Sequence, residues 1–130
     1  MPYRAACVLV LAPDTVLAAF LGMLLELAGF EPTFAEPGES PDAAVARLRP
    51  PLVVCLDCEL PEARSDIFYA RLEHQGAVVV AFGGPGREDD VRAVAEKRQI
   101  PFFVLPTDRA TLADALRLAL DGNEEPLPTG

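Results

Sequence analysis

The stretch LVVCLDCELP, residues 52–61, holds the densest chemistry in the chain. An apolar run delivers one carboxylate, Asp57, at its end, between Cys55 and Cys58. Three readings of Asp57 are open: a reacting centre, an idle carboxylate, or one member of a site built from the two thiols. A redox C-x-x-C works because a helix N-terminus lowers the pKa of its first thiol. Cys55 instead falls inside a strand pattern, where it would be buried. Zinc would require a second pair of Cys or His ligands. Beyond Cys7 and the single histidine, His74, the chain has none. Three cysteines also make no disulfide framework. They read as core residues, and no metal site is expected from them.

Two further motifs carry less. Gly83-Gly84-Pro85-Gly86 is glycine-rich, but a phosphate-binding P-loop needs Lys-Ser/Thr after its last glycine, and none follows. A flexible turn between strand and helix is the expected role. His74 sits near a helix end before Gly76 and reads as solvated or facing the helix dipole. It has no Ser or Cys partner in a recognisable pattern. With no hydrolase constellation in view, an enzyme is not expected.

The elements that must position Asp57 follow from length and pattern. A chain of 130 residues with 51% apolar content fits one folded domain. A net charge of -9 disfavours contact with nucleic acid or an anionic membrane, because phosphate contacts need clustered cations. The most apolar run, residues 16–25, is too short to span a bilayer and meets Glu26. No basic segment precedes an apolar one at the start, so no signal peptide is expected. The expected setting is cytoplasmic.

Apolar runs alternate with helical patterns. Residues 6–11 (ACVLVL) read as a strand covered on both faces. Asp14 or a neighbour caps a helix to about residue 28, and Gly29 stops it. A shorter, more polar strand at 30–35 belongs nearer a sheet edge. Ser40-Pro41-Asp42 opens a second helix that ends before Pro50-Pro51. The third strand covers 52–56, and Ser65 or Asp66 opens a helix closed by Gly76. Strand four covers 77–82, a charged helix 87–98 and strand five 102–105. Thr107 or Asp108 caps a last helix to about 120. Residues 1–122 read as the domain and 123–130, with two prolines, as a flexible tail or linker start. Strict alternation implies an α/β fold with a parallel sheet between two helical layers. Ligands of such sheets bind beyond the carboxyl ends of the strands, where Asp57 lies.

At this point the chain resembles the receiver domains of two-component response regulators. The resemblance covers residues 7–120 and rests on the five strand–helix units, on LVVCLDCELP, and on FFVLPTDRATLADALRLAL at 102–120. It implies a (βα)5 doubly wound three-layer sandwich, flavodoxin-like, with strand order 2-1-3-4-5. It implies that Asp57 is the phosphoacceptor-equivalent. The family supports that reaction with magnesium on acids after strand one, a lysine before the strand-five proline, and a hydroxyl at the end of strand four. Phe102 matches its aromatic switch position.

The sequence departs at each partner. Ala12 and Pro13 stand where the acid pair is expected, and Asp14, one step late, reads as a helix cap. Ala81, or Phe82 in the neighbouring register, replaces the hydroxyl. Leu105 replaces the lysine before Pro106, and the only lysine, Lys97, lies elsewhere. Glu59 adds a negative charge that could fold back towards Asp57. These losses imply a pseudo-receiver with no cofactor, acting through protein contacts in a two-component or phosphorelay system. Two alternatives stay open. Asp57 could accept phosphate from a histidine kinase, with Mg2+ held by Asp14 and Glu59. The chain could also be another α/β module that binds a small ligand or works as a dithiol.

The first helix suggests where a partner binds. Residues 15–28 carry one charge, Glu26. With Leu17, Phe20, Leu21, Leu24 and Leu25 turned to the sheet, the outward stripe is Ala18, Ala19, Gly22, Met23 and Leu27. Such a face suggests burial against another chain. The last helix is rich in Ala and Leu too, and in the receiver fold the two lie side by side. A homodimer, or a partner signalling protein such as a histidine kinase, is expected on that face.

Overall fold

The computed structural model describes residues 7–123. Its elements run β1 (Cys7–Leu11), α1 (Thr15–Leu27), β2 (Glu31–Phe34), α2 (Pro41–Arg47), β3 (Leu52–Asp57), α3 (Asp66–His74), β4 (Ala77–Gly83), α4 (Glu88–Arg98), β5 (Phe102–Val104) and α5 (Arg109–Asn123). A 3-10 turn over Pro61–Arg64 precedes α3 and was not legible in the pattern. The strands are all parallel in the order β2-β1-β3-β4-β5. The parallel sheet expected from the alternation and the strand order implied by the resemblance are both found.

Layering follows from strand alternation. Val8, Val10, Val53, Cys55 and Val80 face one way, against Leu21 and Leu25 of α1 and Leu112 and Leu116 of α5. Leu9, Leu11, Val54, Leu56 and Val79 face the other, against α2 and α3 through Val45, Phe68 and Leu72. A smaller cluster joins Cys58 and Ala81 to Val91 and Val94 of α4. Each fully buried Leu or Val contributes roughly 1.5–3 kcal/mol. β3, buried along its whole length, is the centre of the sheet.

Side-chain oxygens start four of the helices. Asp14 Oδ1 accepts the Val16 N–H at 2.9 Å, Ser40 Oγ that of Ala43 at 3.1 Å, and Ser65 Oγ that of Phe68 at 3.1 Å. Asp108 Oδ1 accepts from Thr111 at 2.7 Å. Ser65 and Asp108 are thus the caps where the sequence left two candidates. α4 has no capping side chain, and Glu88, Asp89 and Asp90 answer its dipole instead. Gly29, with φ of 91°, closes α1 in a conformation that side chains disfavour.

Several expectations need correction: β3 reaches Asp57 and α5 reaches Asn123. β4 runs to Gly83 and β5 stops at Val104. The rotation of α1 also differs. Gly22, expected to face outward, is buried, and a Cβ there would lie 2.6 Å from Phe34 Cζ. Ala18 is half-buried against the core, while Phe20, expected inside, is 36% exposed. Ala19, Met23 and Leu27 do face outward. With one charge in the helix, periodicity had no polar face to orient it. The Phe34 ring of β2, lying over Gly22, belongs to the packing that fixes the rotation. No helix among the described residues is long and apolar enough to cross a membrane. The expected tail beyond residue 123 lies outside the described residues.

Candidate functional site

β3 ends on Asp57, beside Phe82 of β4 in register, at the carboxyl edge of the sheet. The aspartate is the one buried charged residue among those described, at 1% exposure. Its Oδ1 accepts the backbone N–H of Glu59 at 2.9 Å, and its carbonyl accepts that of Leu60 at 3.0 Å. The side chain therefore folds the turn that leaves the strand. Arg64 Nη1 donates to the Cys58 carbonyl at 2.9 Å, and Tyr69 Oη to the Ala63 carbonyl at 2.9 Å. The Cys58 N–H donates to the Phe82 carbonyl at 2.9 Å, tying the turn back to β4.

The electrostatics follow from this placement. Burial pushes the Asp57 carboxyl above its ordinary value. The Glu59 N–H opposes that rise, the Glu59 charge adds to it, Arg87 opposes it, and Asp14 adds the smallest contribution. Arg87, just before α4, was missed by the sequence reading, where its only trace is its position after Gly86. Its Nε lies 3.1 Å from Glu59 Oε2 and its Nη1 3.1 Å from Asp90 Oδ2. Glu59 is therefore near Asp57, as expected, but its carboxylate is paired with Arg87.

The other predicted positions fall around this turn without supplying its missing chemistry. Ala12 is half-buried against the core and Pro13 is exposed. Asp14 spends Oδ1 on the N–H groups of Val16 and Leu17. Ala81 is buried among Cys58, Val91 and Val94. Phe82 points to the opposite face, stacked on Phe103 at 5.5 Å between centroids. The residue that continues the Ala81 face to the strand end is Gly83. A Cβ on it would meet Val91 Cγ2 at 2.5 Å, Arg87 Cβ at 2.9 Å and Cys58 Sγ at 3.2 Å, so α4 and the turn after β3 leave no room for a side chain there. Leu105 is buried in the core with α1 and α5, Pro106 is exposed, and Phe102 is 38% exposed on the edge strand.

The residues present do not fit a magnesium ion. Ala12 and Pro13 bring no side-chain oxygen, Asp14 caps α1, and Glu59 holds Arg87. Among the described residues no three His, Cys, Asp or Glu side chains gather as a ligand set. The thiols are free and do not face one another: Cys55 packs with α1 and α5, and Cys58 with α4. Burial is the main cause holding both above the ordinary thiol range. A cavity of about 650 Å³ opens between α3, the end of α4 and α5, beside Tyr69, Arg98 and Leu118. Another of about 410 Å³ lies between α1 and β2, beside Ala18, Phe34 and Glu39. Asp57 lines neither.

No family model matches the chain, and no curated protein matches it. Solved structures do. A response regulator receiver domain protein from Clostridium thermocellum is 18% identical, with a TM-score of 0.69 over 92% of this chain and 97% of its own. The signal receiver domain of a modulated diguanylate cyclase from Desulfovibrio desulfuricans G20 is 17% identical, with a TM-score of 0.70 over 93% and 98%. NtrX from Brucella abortus, crystallised with ADP, is 23% identical, with a TM-score of 0.73 over 93% of this chain but only 28% of its own. At these identities the likeness is one of fold, and the fold is that of receiver domains.

Proposed function

We propose that this receiver-fold chain is a signalling module of the two-component type that is not phosphorylated and works by binding other proteins in the cytoplasm. The observation that carries the reading is the state of Asp57. It is 1% exposed, with one carboxylate oxygen committed to the Glu59 N–H. Phosphoryl transfer to a carboxylate brings two anions together, so catalysis rests on cations and donors around the incoming group. Leu105, Ala81 or Phe82, and the Ala12-Pro13 pair supply none of these. Losing one such donor costs about 10²–10³ in rate, and here several are gone from one step.

The chain is assigned no catalytic residue and no resident cofactor. Its contact surface is assigned to the outer side of α1 beside α5, joined where Arg109 Nη1 donates to the Leu27 carbonyl at 3.3 Å. The test is intact mass after incubation with Mg2+ and acetyl phosphate, beside Asp57→Asn. The expected result is no added phosphate on either protein. An adduct present in the wild type and lost in Asp57→Asn would overturn the reading in favour of a phospho-accepting receiver.

A further inference from the structure

Four of the eight exposed large apolar side chains among the described residues sit on α1: Val16 at 76%, Phe20 at 36%, Met23 at 53% and Leu27 at 58%. Their spacings of 4, 3 and 4 residues align them on one stripe of a helix, the spacing of a two-helix seam. This is a different stripe from the sequence expectation, since Gly22 has turned inward and Phe20 outward. Glu26, the one charge in the helix, lies off it.

We propose that this stripe pairs with the same stripe of a second copy, α1 against α1, in antiparallel orientation. The proposal rests on the contact-based reading above and names its partner. The chain carries a net charge of -9, so most surfaces of two copies repel. An uncharged stripe lets them meet without setting like charges together. The 4-3-4 spacing reads the same in both directions, so a two-fold axis between Phe20 and Met23 sets Phe20 against the partner subunit's Met23. The same axis sets Val16 against the partner subunit's Leu27.

The ends of the helix select the antiparallel choice. Asp14 stands exposed at the start of α1, and the exposed guanidinium of Arg109 stands at its end, on the Leu27 carbonyl. Antiparallel pairing brings Asp14 of each copy towards the partner subunit's Arg109 at both ends of the seam. Parallel pairing would bring each charge to its own like and align the two helix dipoles.

Sedimentation equilibrium of the full chain tests this, with Met23→Glu on the stripe and Ile67→Glu as a control. Ile67 is 65% exposed on α3, away from the stripe. A dimer is expected for the wild type and Ile67→Glu, with association weakened at least roughly tenfold by Met23→Glu. A wild type that stays monomeric at every concentration, or a dimer that Met23→Glu leaves intact, would overturn the seam. Register is read by oxidation. An equal mixture of Phe20→Cys and Met23→Cys should cross-link into mixed dimers faster than either variant does alone. Faster cross-linking of each variant with itself would overturn the antiparallel register. Phosphate on Asp57 with the dimer intact would sink the functional reading and leave the seam standing.

Discussion

Asp57 and Glu59 are joined by the chain itself: the carboxylate of the first holds the backbone N–H of the second at 2.9 Å. The Glu59 side chain is held elsewhere, by Arg87 at 3.1 Å. One two-residue step thus fixes a buried acid and an ion pair between the loop after β3 and the approach to α4. A guanidinium and a carboxylate link these two loops.

The first prediction concerns the buried acid. Asn keeps an acceptor for the Glu59 N–H and removes the charge. Burial raises the folded-state pKa of Asp57 above its unfolded value. Its contribution is therefore intact below the unfolded value, about 4, and is lost as pH rises through the folded one. Asp57→Asn should accordingly be more stable than the wild type near neutral pH, by roughly 1 kcal/mol. The difference should fade on acidification below about pH 4. Thermal melts across pH measure it, and a variant less stable than wild type at neutral pH would show that the carboxylate is compensated by a cation not identified in the fold.

A side chain at Gly83 should not be accommodated. A Cβ at Gly83 meets the side chain of Val91 at 2.5 Å and that of Arg87 at 2.9 Å, the first a branched methyl anchored in the core. Gly83→Ala should cost roughly 1–3 kcal/mol by overpacking, and Gly83→Thr more. Urea denaturation gives the values. Little or no loss in either variant would mean that α4 yields readily at this contact.

The cysteines should behave as core residues. In the native protein a thiol reagent should leave Cys55 and Cys58 untouched and modify half-buried Cys7 slowly, since all three thiols are held above their ordinary range chiefly by burial. Unfolding should release three equivalents. Rapid native labelling of Cys58 would reopen the dithiol reading.

Much of the fold was legible because each element announced itself twice. β3 combined an unbroken apolar run with turn residues after it, and α2 combined Ser40, Pro41 and Asp42 at its start. The site was legible only as a set of substitutions. Ala12, Pro13 and Leu105 could be seen to lack oxygen or charge from the sequence alone. Arg87 could not be found, since a guanidinium reaching Glu59 from 28 residues away leaves no local pattern. The rotation of α1 was misread for a related reason. A helix with a single charge has no polar side, and the Phe34 ring over Gly22 belongs to a different strand.

The hydrogen bond from Glu59 to Asp57 also bears on ancestry. An oxygen that shapes a turn has a structural role whether or not it ever reacts. A lineage that abandons phosphate chemistry would thus discard the lysine, the metal ligands and the hydroxyl freely, yet keep the aspartate as masonry. On the proposed reading, the presence of that one residue does not separate active from silent receiver-fold chains.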